Sequence, residues 1–247
     1  MRLAFNGIAT LELFMNIKIN TLSIILLGTL LTGCANEENS PFGPNSGDVS
    51  SSTNIITDIN FAVGASEPNP AVYDDDGFHG GVEVTLTARA ADKDNLAVTS
   101  GTVYFRSEYG ILSPNSCELD STGTCEVSWF SILEGIPTDY YADITIYTLG
   151  EESYFDLDGS GDFNDGDVQR TDTDEPYVDV NHTTGARSFT TGTDIPIDLD
   201  GSGTTGTAHT PADGKISVSD CRHSTDCATS SSIIIYDQLT LNLDART

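Results

Sequence analysis

Oxygen-bearing side chains recur at alternate positions in the run Asp-Leu-Asp-Gly-Ser-Gly-Asp-Phe-Asn-Asp-Gly-Asp, from Asp156 to Asp167. With Asp156 as position 1 of a twelve-residue loop, Asp156, Asp158, Ser160, Asp162, Asn164 and Asp167 stand at positions 1, 3, 5, 7, 9 and 12. Gly161 falls at position 6, where such a loop turns sharply. Ca²⁺ is a hard cation that takes six to eight oxygens, and alternate side chains of a tight loop can converge on one point. Position 7 ligates through its main-chain carbonyl, so Asp162 need not use its carboxylate. The expected chemistry is therefore Ca²⁺ binding by this loop.

These twelve residues resemble the calcium loops of EF-hands and dockerins. Position 12 departs from those families: Asp167 is one methylene shorter than the usual bidentate Glu. The flanks, Ile144 to Thr148 and Val168 to Asp172, do not read as helices. The expectation is a bare loop between extended segments, with a structural cation and no sensor-like opening. Two fainter copies follow. Asp198, Asp200 and Ser202 repeat the opening of the pattern, but its positions 9 and 12 fall on Gly206 and His209. Asp179 and Asn181 begin another that stops at Thr183. Each is a candidate contributor to a metal site, one shared with the main loop included, or else an Asx-turn. Asp172, Asp174 and Glu175 read as a solvated acidic run, and Asp74 to Asp76 as a turn.

No motif carries catalysis. The chain has no Gly-x-Ser-x-Gly elbow, no His-Glu-x-x-His and no phosphate-cradling Gly-x-x-x-x-Gly-Lys. His79, His182, His209 and His223 sit in Gly- or Thr-rich loops and are expected to face solvent. The leading expectation is a non-catalytic protein. One alternative is a module that captures a polysaccharide or other ligand, with Tyr140, Tyr141, Tyr147 and Tyr154 as an aromatic platform. A hydrolase of unrecognised type is the third.

The elements around the loop read as strands. Val82, Val84, Leu86, Ala88 and Ala90 alternate with Glu83, Thr85, Thr87 and Arg89, the period of a half-buried strand. Ile59, Phe61 and Val63 repeat the pattern, as do Val103 and Phe105, then Cys125, Val127 and Trp129, then Ala142, Ile144 and Ile146. Trp129 is expected in the core. Turns rich in Gly, Asp and Asn separate these runs, which predicts an all-β antiparallel sandwich over residues 54–150. Residues 151–215 are acidic and poor in apolar side chains, so metal or packing on the sandwich must order them. They are expected as an insertion before a closing strand, Ser232 to Leu243, within a last segment 216–247.

The runs Val82 to Asp92, Gly101 to Phe105, Gly110 to Ser113 and Asp120 to Val127 resemble, in order and spacing, a bacterial Ig-like domain of the invasin/intimin type. The resemblance implies an Ig-like β-sandwich of the kind found in surface adhesins and lipoproteins, and no catalytic residues.

Composition bounds the partners. Against 10 basic side chains stand 38 acidic ones, a formal charge of −28 on 247 residues. Nucleic acid and anionic lipid would be repelled, whereas divalent cations relieve the self-repulsion. At the N-terminus, Thr21 to Leu31 is an apolar run too short to span a bilayer. It ends in Leu31-Thr32-Gly33-Cys34, which resembles the lipobox of bacterial lipoproteins. That resemblance implies a signal peptide over residues 1–33, with Met15 as its expected start, and a diacylglycerol on Cys34. Ala35 after the cysteine implies a Gram-negative outer membrane address, on either its periplasmic or its outer face. Residues 34–53 then read as a lipidated, flexible tether spanning about 25 Å. With Cys34 assigned to lipid, Cys117, Cys125, Cys221 and Cys227 remain for disulfides in an oxidising compartment. Three connectivities are open, and close spacing favours Cys117–Cys125 with Cys221–Cys227. Cys117 and Cys125 stand too near each other in sequence for an expected bridge between two sheets.

Overall fold

The structure, a computed structural model, describes residues 53–72, 81–180, 182, 187–197 and 209–244. Two four-stranded antiparallel sheets pack into a sandwich, and no α-helix occurs among the described residues. The first sheet has the order β1 (Phe61–Ala65), β2 (Glu83–Ala90), β6 (Thr124–Phe130), β4 (Ile111–Ser113). The second has the order β12 (Ile233–Asn242), β7 (Tyr141–Gly150), β3 (Thr102–Ser107), β5 (Ser116–Glu118). Two short hairpins, β8 (Tyr154–Phe155) with β9 (Val168–Gln169) and β10 (Tyr177–Val178) with β11 (Ile195–Pro196), lie in the chain between β7 and β12.

The core follows the alternation. Val84, Leu86, Ala88 and Ala90 of β2 meet Val127 and Trp129 of β6, Val103 and Phe105 of β3, and Ala142, Ile144 and Ile146 of β7. Trp129 is fully buried, and its indole N–H donates to the Tyr109 carbonyl at 2.8 Å, which satisfies the one polar atom of the ring. Ile59 departs from its expected strand position: residues Asp58–Asn60 form a 3₁₀ turn, β1 begins at Phe61, and Ile59 is exposed.

β7 is buried on both faces from Ala142 to Thr148. Its inner residues enter the sandwich core. Its outer residues are covered by the acidic segment, where Val178 and Ile197 pack with Tyr147 against Ile234 and Tyr236. A further small cluster joins Phe163, Ile216 and Val218, with Tyr154 and Cys221 packed on it. The acidic segment thus takes apolar support from the sandwich at Val178 and Ile197, and from the last segment at Phe163.

Both expected disulfides form, Cys117–Cys125 and Cys221–Cys227, each with 5.8 Å between Cα atoms. The first corrects the sequence expectation, because it joins β5 of one sheet to β6 of the other. Only a tight turn separates these strands: the Asp120 carboxylate accepts the N–H groups of Thr122 at 2.8 Å and Thr124 at 3.1 Å. The chain crosses between sheets there with few residues. Gly123 makes the crossing possible, having φ +71° and no room for a Cβ, which would lie 2.6 Å from the Ala90 carbonyl oxygen. By the chain-entropy estimate such a small loop contributes about 2.5 kcal/mol.

The strands at the open side of the sandwich are tied together. Asp237, on the core-facing side of β12, accepts the main-chain N–H of Val63 in β1 at 2.9 Å. Beyond β12, the Asn242 and Asp244 N–H groups donate to the carbonyls of Pro68 and Pro70, both at 2.9 Å.

Candidate metal centre

β8 and β9 pair as a hairpin, Tyr154 opposite Gln169 and Phe155 opposite Val168, and residues 156–167 are its connection. The flanks are extended, and the loop closes on itself through its own carboxylates. Asp156 accepts the N–H of Gly159 at 2.7 Å with one oxygen and that of Gly161 at 2.8 Å with the other. Asp167, at the far end, accepts the N–H of Leu157 at 2.8 Å and of Asn164 at 2.9 Å, so the shorter acid at position 12 still reaches the start of the loop. Gly161 takes φ +82°, the left-handed turn its position demands.

One carboxylate oxygen from each of Asp156, Asp158 and Asp167 lies within 4.8 Å of the others. Like charges this close repel, weakly where water screens the exposed Asp156 and Asp158 and more strongly toward the buried Asp167. The Ser160 hydroxyl and its N–H hold the Asp158 carboxyl below the usual carboxylate range, which keeps the repulsion in place at neutral pH. A divalent cation removes it. Ser160 and Asn164 complete the ring of polar groups. The Asn164 amide donates to Asp158 at 3.1 Å and to Ser160 Oγ at 2.9 Å. Ligation by Asn164 through oxygen therefore needs a half-turn of its amide, or an intervening water as is common at position 9. The Asp162 carboxylate faces outward to Arg222 at 2.9 Å, which leaves its main-chain carbonyl for the ring.

Sequence reasoning missed what positions this loop. Lys93, from the turn after β2, donates to the Gly161 carbonyl at 2.8 Å, and the Tyr154 hydroxyl donates to the same oxygen at 2.9 Å. The loop also runs beside the Cys221–Cys227 segment: Phe163 N–H donates to Asp220 O at 3.0 Å, and Arg222 N–H to Phe163 O at 2.7 Å. His223 stacks on Phe163 with ring centroids 5.1 Å apart. The available signal was Arg222-His223 beside a cysteine, a basic pair in a strongly acidic chain.

Of the other candidate ligands only Asp179 is among the described residues. Asp179 is buried and lies apart from the Asp156, Asp158 and Asp167 group. Asn181, Asp198, Asp200 and Ser202 lie outside the described residues, as do Cys34, the tether, Asp74 to Asp76 and His79. The supposed solvated run is engaged: Asp174 accepts the Tyr236 hydroxyl at 2.5 Å, Asp172 the Gly214 N–H at 2.9 Å, and Glu175 the Thr210 N–H at 2.8 Å. His182, His209 and His223 do not face solvent as expected, since each is largely buried beside a carboxylate. The tyrosine platform is not assembled: Tyr147 is buried under the acidic segment, and Tyr154 is half-buried against Phe163.

Buried acids hold the segment to the sandwich. Glu152, just past β7, accepts the N–H of Thr173 at 2.6 Å and of Ser217 at 2.7 Å. Burial pushes its carboxyl up to about 7, against the two hydrogen bonds. Burial likewise pushes Glu108, which accepts the Asp143 N–H at 3.1 Å, up to about 8. Between the ordinary pKa of 4.5 and these raised values, the folded chain holds protons that the unfolded chain has released. Stability therefore falls as pH rises through about 7 to 8. We expect the thermal midpoint in EDTA to be about 5 °C higher at pH 5.5 than at pH 8.5. Scanning calorimetry at the two pH values checks this, and a midpoint higher at pH 8.5 would refute it.

Compared with family models, with curated proteins and with solved structures, the chain finds no match in any of the three.

Proposed function

We propose that this chain is a non-catalytic, lipid-anchored protein of the bacterial outer membrane, whose Ig-like sandwich carries an acidic segment ordered by Ca²⁺. Its work is adhesion or assembly with other surface components, and the cation sets whether the acidic segment is presented in one shape. The convergence of Asp156, Asp158 and Asp167 within 4.8 Å, in a loop with the spacing of a calcium site, carries this reading. The lipid anchor is supported by Leu31-Thr32-Gly33-Cys34, and the Ig-like assignment by the order of strand motifs in an all-β sandwich. Asp156, Asp158, Ser160, Asn164 and Asp167 ligate by side chain and Asp162 by its carbonyl. Extracellular sites of this kind bind at about 10⁻⁴–10⁻³ M. Isothermal titration of the oxidised protein with CaCl₂ tests the reading directly. Binding in that range should vanish when Asp156→Ala and Asp158→Ala are combined, and unchanged affinity in the double variant would end the assignment.

A further inference from the structure

On the outer face of the second sheet, where the described residues of the acidic segment leave it uncovered, runs a groove of about 740 Å³. Its floor is Tyr104 of β3 and Leu149 of β7, 43% and 61% exposed. Tyr104 stacks on Tyr147 with centroids 5.4 Å apart and planes 15° from parallel, so its ring is held in place by one face before anything binds. Asn54, Thr102, Ser219 and Ser232 supply amide and hydroxyl groups along the walls. The single carboxylate in the lining, Glu151, is 8% exposed and turned to the Ser219 N–H at 2.8 Å. On a chain of formal charge −28, this groove presents almost no charge.

We propose that the groove is a binding site for a neutral polysaccharide. A pyranose ring has an apolar C–H face and a rim of hydroxyls that both donate and accept. A fixed aromatic ring beside an aliphatic side chain suits the face, and uncharged amide and hydroxyl walls suit the rim. An acidic polymer is repelled by the protein's field. A peptide added as a strand requires an open sheet edge, but β3 and β7 are both interior strands with their ladders already paired. The site is distinct from the Asp156 to Asp167 loop and does not depend on that loop's affinity for Ca²⁺.

Affinity electrophoresis of the full chain, in native gels cast with xyloglucan, mixed-linkage β-glucan or galactomannan, tests the proposal. Alginate serves as the anionic counterpart, and Ca²⁺ is held constant. At least one neutral polymer should retard the protein and alginate should not. Tyr104→Ala should weaken retardation about tenfold or more, as loss of a central aromatic anchor does. Tyr104→Phe should retain it, and Tyr140→Ala, at an exposed tyrosine outside the groove, should leave it unchanged. Should Tyr104→Ala fail to fold, Leu149→Asp tests the same floor from a more exposed position. Retardation by none of the three neutral polymers overturns the proposal. So does retardation unaffected by either floor variant, or capture by an immobilised apolar peptide column with no glycan binding.

Discussion

Millimolar Ca²⁺ should raise the thermal midpoint of the oxidised protein, EDTA should reverse the rise, and Mg²⁺ should not reproduce it. A ligand that binds only the folded chain stabilises it by RT ln(1 + [L]/Kd). For Kd of about 10⁻⁴–10⁻³ M and about 10 mM free Ca²⁺, this is about 1.4–2.7 kcal/mol, or about 3–10 °C for a domain of this size. Mg²⁺ demands a smaller octahedral shell and sheds water reluctantly, which a ring of alternating loop oxygens does not offer. The effect should extend beyond the loop. Gly161 is tied to Lys93 of the sandwich, and Phe163 and Asp165 to the segment around Cys221. Hydrogen exchange should therefore slow across residues 216–224 as well as 156–167 when Ca²⁺ is added. In the Asp156→Ala, Asp158→Ala double variant both the shift and the protection should be gone. Equal midpoints for the unsubstituted protein in Ca²⁺ and EDTA would remove the cation from the account of this fold.

The substitution expected to cost most is Asp143→Ala. Asp143 is fully buried on the outer side of β7, where it receives Arg187 Nη2 at 2.7 Å and the Thr240 hydroxyl at 2.5 Å and faces His182 Nδ1 at 3.1 Å. These contacts pin the acidic segment across the sheet, next to the Thr145 hydroxyl and Gln238 amide that both donate to the Tyr177 carbonyl. Removing the acid leaves the Arg187 guanidinium, whose side chain is 18% exposed, without its counter-charge. Breaking one side of a buried pair costs about 3–5 kcal/mol, and the partial exposure of Arg187 places this case near 3. The midpoint should drop by about 6–12 °C. Chemical denaturation of Asp143→Ala and Asp143→Asn separates charge from shape: the amide should recover part of the loss because it can still accept from Thr240 and Arg187. A cost within about 0.5 kcal/mol, that of an ordinary surface change, would show that the segment is held by its apolar contacts alone.

What could be read from the sequence follows the range of the interactions. β2 and β6 each have one wet face, so Val84 to Ala90 and Cys125 to Trp129 announce themselves by alternation. In β7 the same alternation marks Ala142, Ile144 and Ile146. It misleads about Asp143, Thr145 and Tyr147, which look solvent-facing and are buried by the later part of the acidic segment, around Tyr177, Arg187 and Ile197. The convergence of Asp156, Asp158 and Asp167 was legible because they lie within twelve residues of one another, and local spacing encodes it. Its supports were not legible. Lys93, Arg222 and His223 reach it from distant positions, and no local pattern marks a lysine as a donor to one particular carbonyl. Cys117 and Cys125 fall between these cases: spacing indicated the bond, but where the chain changes sheets is a property of the turn at Asp120 and Gly123.

The link from Asp237 to the Val63 amide bears on how the molecules behave when crowded. At high concentration neighbours meet far more often than in dilute solution. Open strand borders then invite sheets of adjacent molecules to fuse into a continuous ribbon. Here one border donor is already spoken for by a carboxylate. The borders formed by β4 and β5 are three residues long, too brief to template an incoming strand. The remaining border, β12, is ten residues long and is tied to Pro68 and Pro70 only at its end, so it is the edge along which two copies could pair.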